Sequence, residues 1–209
     1  MNIELPANEE SAKIINQGGI AIAKKVLVIL GSPRREGNSA ILADQITKGA
    51  ESTKAKVETI YLQEKSIAPC KACFACQKEK SKGCSIHDDM QKLYPKLIKT
   101  DALVIASPVY WFTMSAQTKI FLDRCFALSA YKSDPFKGKR IAVAMTYGGE
   151  DPFDSGCVNA LRTFQDAFGY IGATLVGMVY GSAMDTGKIK LNEKVMQEAI
   201  DLGVKLVSE

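Results

Sequence analysis

The sequence lacks any apolar run close to the roughly 20 residues that a membrane-crossing helix needs, so no membrane association is expected. It also lacks the basic start, apolar centre and small-residue cleavage site of a secretory leader, which makes the cytoplasm the expected compartment. Neither sign of charge dominates. Against 27 Lys and Arg stand 23 Asp and Glu, a net charge of +4 over 209 residues. The basic residues are scattered rather than gathered into a stripe, so no nucleic-acid partner is expected. Internal repeats and long linkers are absent too. What is present is ordinary for a globular chain: 46% apolar and 24% charged residues, in a length that suits one domain with a sizeable core. Six cysteines in an unexported chain should be mostly reduced, which favours metal or redox chemistry over disulfides.

Five short apolar runs recur: Lys25–Leu30, Val57–Leu62, Ala102–Ser107, Ile141–Thr146 and Thr174–Tyr180. All but the second are nearly continuous in apolar character, as strands covered on both faces of a parallel sheet should be. The second alternates more, which suits an edge. Helical spacing fills the gaps at Ser39–Glu51, Asp89–Lys99, Ser115–Leu128, Asp154–Tyr170 and Glu193–Val207. The last places Val195, Ala199, Leu202 and Leu206 on one stripe. Strict alternation of strand and helix predicts an α/β three-layer sandwich with right-handed crossovers. Residues 1–23 are polar, lack a period and read as an N-terminal extension, either a tail or an arm on a partner subunit.

The segment GSPRREGNSAIL (Gly31–Leu42) leaves the first strand and enters a helix, where ligands of open α/β sheets bind. Gly31 and Gly37 permit tight turns, and Asn38 and Ser39 suit a helix start. Unpaired N–H groups there, with the hydroxyls of Ser32 and Ser39 and the charge of Arg34, would hold a phosphate. A Walker A loop does not fit, since five residues separate the glycines and Asn38 follows the second; G-x-G-x-x-G is absent. An ordinary strand–helix turn has the same local look.

G-S-P-R-x-x-G-N-S, followed by S-P-V-Y-W and T-Y-G-G, resembles the flavodoxin-like NAD(P)H-dependent FMN reductases over about residues 25 to 181. The resemblance implies a five-stranded parallel sheet in the order 2-1-3-4-5. It further implies a flavodoxin-like FMN-binding domain over 24–209, with a cysteine-rich insertion at 67–87, and Ser32, Arg34, Asn38 and Ser39 around the FMN phosphate. In the loop Ser107–Thr113, Pro108 is expected to force an extended turn. Its backbone, with Val109 and the flat surfaces of Tyr110, Trp111 and Phe112, can meet the flavin edge. Three aromatics packed under a helix would be the plainer alternative. Thr146, Tyr147, Gly148 and Gly149 follow the fourth strand, and the two glycines allow close approach to a planar ligand. Three loops opening on one sheet edge favour flavin more than any one does.

Cys70, Cys73, Cys76 and Cys84 form C-x2-C-x2-C-x7-C. Zinc usually takes two separated pairs, whereas three cysteines at intervals of three wrap a compact object such as an iron–sulfur cluster. Zinc or a reversible thiol pair stays open on spacing alone. The segment also resembles iron–sulfur flavoproteins, which implies a 4Fe–4S cluster on these four residues and an assembly of two or four identical chains. His87 reads as a solvated neighbour ahead of the Asp88/Asp89 helix start, and Cys125 and Cys157 as small buried apolar residues. The expected activity is FMN-dependent redox chemistry, with NAD(P)H or a ferredoxin-type protein as electron donor and a small molecule or protein as acceptor. An FMN or quinone reductase without a cluster, and a zinc-stapled non-enzymatic module, are the alternatives.

Overall fold

Residues 23–208 are described by a computed structural model; the expected extension falls, apart from Ala23, outside these residues. The elements are β1 (Lys25–Leu30), α1 (Asn38–Ser52), β2 (Lys56–Tyr61), α2 (Met90–Lys99), β3 (Ala102–Tyr110), β4 (Thr113–Met114), α3 (Ala116–Arg124), β5 (Arg140–Tyr147), α4 (Cys157–Tyr170), β6 (Thr174–Ser182) and α5 (Glu193–Val207). The sheet order is β2-β1-β3-β5-β6, all parallel, with the two-residue β4 paired antiparallel to β3. Since β4 is a stub, β5 and β6 are the expected fourth and fifth strands, and the expected order holds.

Side chains alternate along each strand between two cores. Leu27, Ile29, Leu103 and Ile105 face a cluster that includes Leu93, Phe121 and Phe164 of α2, α3 and α4. Val26, Val28 and Val104 face Ile46, Leu202 and Leu206 of α1 and α5. Both faces are covered, so β1 is buried from Val26 onward, while β2 at the edge buries little besides Ile60. The α5 stripe of Val195, Ala199, Leu202 and Leu206 is buried as its spacing predicts.

Two expectations are corrected. Pro108 does not end its strand: β3 continues through it in register with Thr146 to Tyr110. The register with β1 stops at Ala106, so the missing N–H falls where no ladder partner is needed on that side. The turn instead lies at Trp111 and Phe112, both with positive φ (48° and 66°), a two-residue hairpin loop closing β3 on β4. The helix expected over Ser115–Leu128 divides at Arg124, after which Cys125–Ala130 tightens into a 3-10 turn. That change of pitch takes Cys125 out of full burial, although Phe121 and Leu128 stay in the core.

Helices α1 and α5 touch backbone to backbone. A Cβ built on Gly49 would lie 2.0 Å from the Ile200 carbonyl oxygen, and one on Gly203 would lie 2.0 Å from that of Ile46. Helix propensity alone favours alanine over glycine by about 1 kcal/mol. Forcing the helices apart costs about 1–3 kcal/mol. Gly203→Ala should therefore lower the thermal unfolding midpoint; a higher midpoint would show that the helices have room to separate.

Candidate functional site

The carboxyl ends of β1, β3, β5 and β6 open on one edge of the sheet. The Gly31 N–H donates to the Ala106 carbonyl at 2.8 Å. Beside it lies a fully buried hydroxyl cluster. Ser115 Oγ donates to the Gly31 carbonyl at 2.7 Å and lies 2.9 Å from Thr118 Oγ1, while Ser107 Oγ accepts from the Ser115 N–H at 2.9 Å. The first loop is thereby fastened to the end of β3 and the start of α3. A Cβ on Gly31 would fall 1.8 Å from Thr118 Oγ1, so this approach requires glycine.

Helix α1 starts after Gly37 with no side-chain cap. Its first N–H groups have no intrahelical acceptor and carry the positive end of the helix dipole. Ser39 Oγ is buried there without a hydrogen-bond partner among the described residues. A Cβ on Gly37 would lie 2.9 Å from Ser32 Oγ, so the glycine leaves that hydroxyl uncrowded. Ser32 Oγ also accepts from the Arg34 N–H at 3.0 Å, and the Arg34 side chain is exposed, 3.4 Å from Thr186 Oγ1. An orphaned buried hydroxyl, free N–H groups and a guanidinium fit the phosphate of FMN.

Asn38 has a different part from the one expected. Its Nδ2 donates to the carbonyls of Ala183 (3.0 Å) and Asp185 (2.8 Å), and its Oδ1 accepts from the Ile189 N–H at 3.3 Å. The side chain is spent on holding the loop after β6, so its amide is not free for a ligand. That fourth loop escaped the sequence reading; the Asp185–Thr186–Gly187 turn after the fifth apolar run was its signal.

At the other rim, Tyr110, Trp111 and Phe112 are 43%, 92% and 54% exposed, so they are not packed beneath a helix. Asn159 Nδ2 donates to the Phe112 carbonyl at 3.0 Å, and Gly156 abuts the Phe112 backbone, which props the hairpin on α4. Pro108 and Val109 lie half-buried below it. Thr146 and Tyr147 are buried at the end of β5, followed by exposed Gly148 and Gly149. A Cβ on Gly148 would meet Met184 Sδ at 2.7 Å, and one on Gly149 would meet Ser155 Oγ at 2.4 Å. The Ala183 N–H donates to the Tyr147 carbonyl at 2.8 Å, joining the third and fourth loops.

The cysteines lie elsewhere. Cys70, Cys73, Cys76, Cys84 and Cys125 line a mostly apolar cavity of about 1010 Å³ on the α3–α4 side, together with Phe74 and Phe126. Cys70 and Cys73 are exposed, while Cys76 and Cys84 are half-buried. Among the described residues no three His, Cys, Asp or Glu side chains are close enough to share one metal ion. The donor set suits iron in kind: four soft thiols lining one cavity. The Ser85 hydroxyl, 3.3 Å from Cys73 Sγ, leads the groups that hold the Cys73 thiol below its ordinary pKa. Ala72 and Phe74, on either side of Cys73, both have positive φ (51° and 53°), backbone strain of the kind that gathers at functional sites. Cys157 is fully buried, and burial pushes its thiol pKa up to about 12, in keeping with a packing role. Burial raises that of Cys125 as well. His87 is exposed.

Sequence reasoning missed Arg124. It is buried, and Asp88, expected only as a helix start, receives its guanidinium at 2.6 Å. Arg124 falls three residues after Phe121 on the inward stripe of α3, a charged residue in an apolar row, which was the available signal. Burial alone would raise the Asp88 pKa. The hydrogen bonds from Arg124 and from the Ala68 and Met90 N–H groups outweigh it and hold the carboxyl below the usual range.

A parallel sheet whose strand ends bring an uncapped helix start opposite an aromatic rim fits a flavodoxin-like, FMN-dependent oxidoreductase. The fold is shared with the NAD(P)H:quinone oxidoreductase from Methanothermobacter marburgensis, with TM-score 0.69, 18% identity and coverage of 90% of this chain and 98% of that one. Residues 24–186 match the family described as NADPH-dependent FMN reductase. Two relatives from Archaeoglobus fulgidus, both named iron–sulfur flavoprotein, are 38% identical over 125 residues and 30% identical over 190. These alignments cover 60% and 87% of this chain, and 62% and 78% of the relatives. The chain belongs to the NADPH-dependent FMN reductase family, in its iron–sulfur flavoprotein branch.

Because Ser39 Oγ has no partner among the described residues, Ser39→Ala should leave the unfolding midpoint nearly unchanged. A hydrogen bond to a charged group contributes about 1.5–3 kcal/mol, so FMN affinity should fall roughly 10- to 100-fold. Fluorescence titration of the flavin-free protein with FMN measures this; unchanged affinity would remove Ser39 from the cradle.

Proposed function

We propose that this chain is a redox flavoprotein that binds FMN in the four-loop crevice and a 4Fe–4S cluster on Cys70, Cys73, Cys76 and Cys84. In this reading it works in the cytoplasm as a homodimer or homotetramer. It moves electrons from NAD(P)H or a ferredoxin-type protein to a small-molecule or protein acceptor. The observation that carries the flavin part is the orphaned Ser39 hydroxyl at the uncapped start of α1. The cluster part is supported by the compact cysteine spacing, by the four cysteines lining one cavity and by the names of the relatives.

Bound FMN supplies two-electron and stepwise one-electron chemistry, and a cluster supplies one-electron exchange. The protein's own part is binding and orientation. Ser32, Arg34, Ser39 and the first N–H groups of α1 hold the phosphate. The backbone over 108–112 and 146–149 borders the ring system, and Tyr110, Trp111 and Phe112 offer apolar surface that excludes water from it. No side-chain acid or base is required for electron or hydride transfer, and none is assigned.

A reductase that uses NAD(P)H without a cluster is the second reading, favoured by the separation of the four thiols in this conformation. Zinc on the same thiols is a third. Anaerobic purification with iron, sulfide, zinc and flavin quantified on one sample separates them. The expected result is about four iron and four sulfide with one FMN per chain. Cys76→Ala should then abolish the broad cluster absorption while FMN stays bound. Zinc in place of iron, or a yellow protein free of iron, would end the cluster reading and leave the flavin reading standing.

A further inference from the structure

The cysteine loop is built around a buried cation that flavin binding leaves unexplained. The Arg124 side chain is 1% exposed. A guanidinium has five N–H donors, and four here are spent around the loop. Nη1 donates to Asp88 Oδ2 at 2.6 Å and to the Ala68 carbonyl at 2.7 Å. Nη2 donates to Asp88 Oδ1 at 3.1 Å and to Cys84 Sγ at 3.5 Å. The fifth, on Nε, is buried without a partner among the described residues. Asp88 accepts in addition from the Ala68 N–H (2.9 Å) and the Met90 N–H (3.0 Å), so both ends of the loop meet at one ion pair. Tyr94 Oη donates to the Arg124 carbonyl at 3.1 Å, and Gln91 Nε2 donates to the Cys84 carbonyl at 3.0 Å. Cys84 is thus held at its sulfur and at its backbone. Cys73 and Cys76 have only Ser85 and Gln77 of the same loop at their sulfurs, and Cys70 has no hydrogen-bonded sulfur among the described residues.

We propose that Arg124 is a positioning residue for the metal centre, fixing Cys84 as the ligand onto which the other three thiols close and directing an N–H at its sulfur. The inference rests on the cluster reading above. The exposed placement of Cys70 and Cys73 and the fixed placement of Cys84 then describe one event, loading by closure of the exposed thiols onto a preset sulfur. Hydrogen bonds to ligand sulfurs raise a cluster's potential, because the added electron increases the negative charge there. Lysine keeps the positive charge but cannot reproduce the two-pronged hold on Asp88 and the sulfur.

The test uses the full chain, loaded anaerobically with ferrous iron and sulfide. Wild type, Arg124→Lys, Cys84→Ala and Cys70→Ala are compared for iron per chain, rate of iron uptake and midpoint potential by mediated titration. FMN content and unfolding midpoint serve as the fold check. Arg124→Lys should bind FMN normally, take up iron more slowly and show a more negative potential, by about 59 mV for each tenfold loss in electron affinity. Cys84→Ala should lose iron uptake almost entirely, whereas Cys70→Ala should keep a partial complement. An Arg124→Lys protein with wild-type uptake and potential overturns the proposal. So does equal loss in Cys84→Ala and Cys70→Ala, a comparison that holds even if Arg124→Lys fails to fold. A wild-type chain that takes up no iron ends the cluster reading itself, an outcome separate from these.

Discussion

The crevice exists because Gly31 lies against the end of β3. Its N–H and carbonyl are both taken by that strand and by the helix that follows it, through Ala106 and Ser115. No side chain fits at residue 31, since Thr118 already occupies the space. Three buried hydroxyls replace the water that a loop would otherwise need, and buried polar groups satisfied in this way specify one arrangement of the backbone. Everything downstream inherits that arrangement. The first turn of α1 is aimed by it, and Asn38 carries it onward to the loop after β6.

The same sheet supports two unlike sites. Strand ends make the four-loop crevice largely out of backbone and small residues. The loop between β2 and α2 is polar, carries four cysteines, and is tied down at its ends by Asp88 and in its middle by Gln77, which donates to the Phe126 carbonyl. The crevice and the cysteine loop thus sit on a single set of helices. Helix α3 serves both, since its first turn holds the hydroxyl cluster and its last residue is Arg124.

How much of this could be read in advance follows from the type of residue involved. The strands and their order were legible because apolar runs buried on two faces have few alternatives, and β2 was marked as an edge by its alternation. The tight turn from β1 into α1 was legible because Gly31 and Gly37 mark close turns and Asn38 and Ser39 suit a helix start. Pro108 misled because a proline normally ends a strand, and only the length of β1 shows why it does not here. Asn38 misled for a related reason: a residue suited to capping can spend its amide on another loop far away in sequence. Arg124 and Asp88 were illegible as a pair, because they are 36 residues apart and only the packing of α3 on the cysteine loop brings them together.

The hairpin at Trp111 and Phe112 has one further consequence. Trp111 is the chain's single tryptophan, and it stands almost wholly in solvent at the lip of the crevice. Any ultraviolet-excited indole emission from this protein therefore arises from one known place. A ring system settling beneath that lip would change the colour and lifetime of this light without a label. The fold thus carries its own optical gauge of whether the crevice is filled.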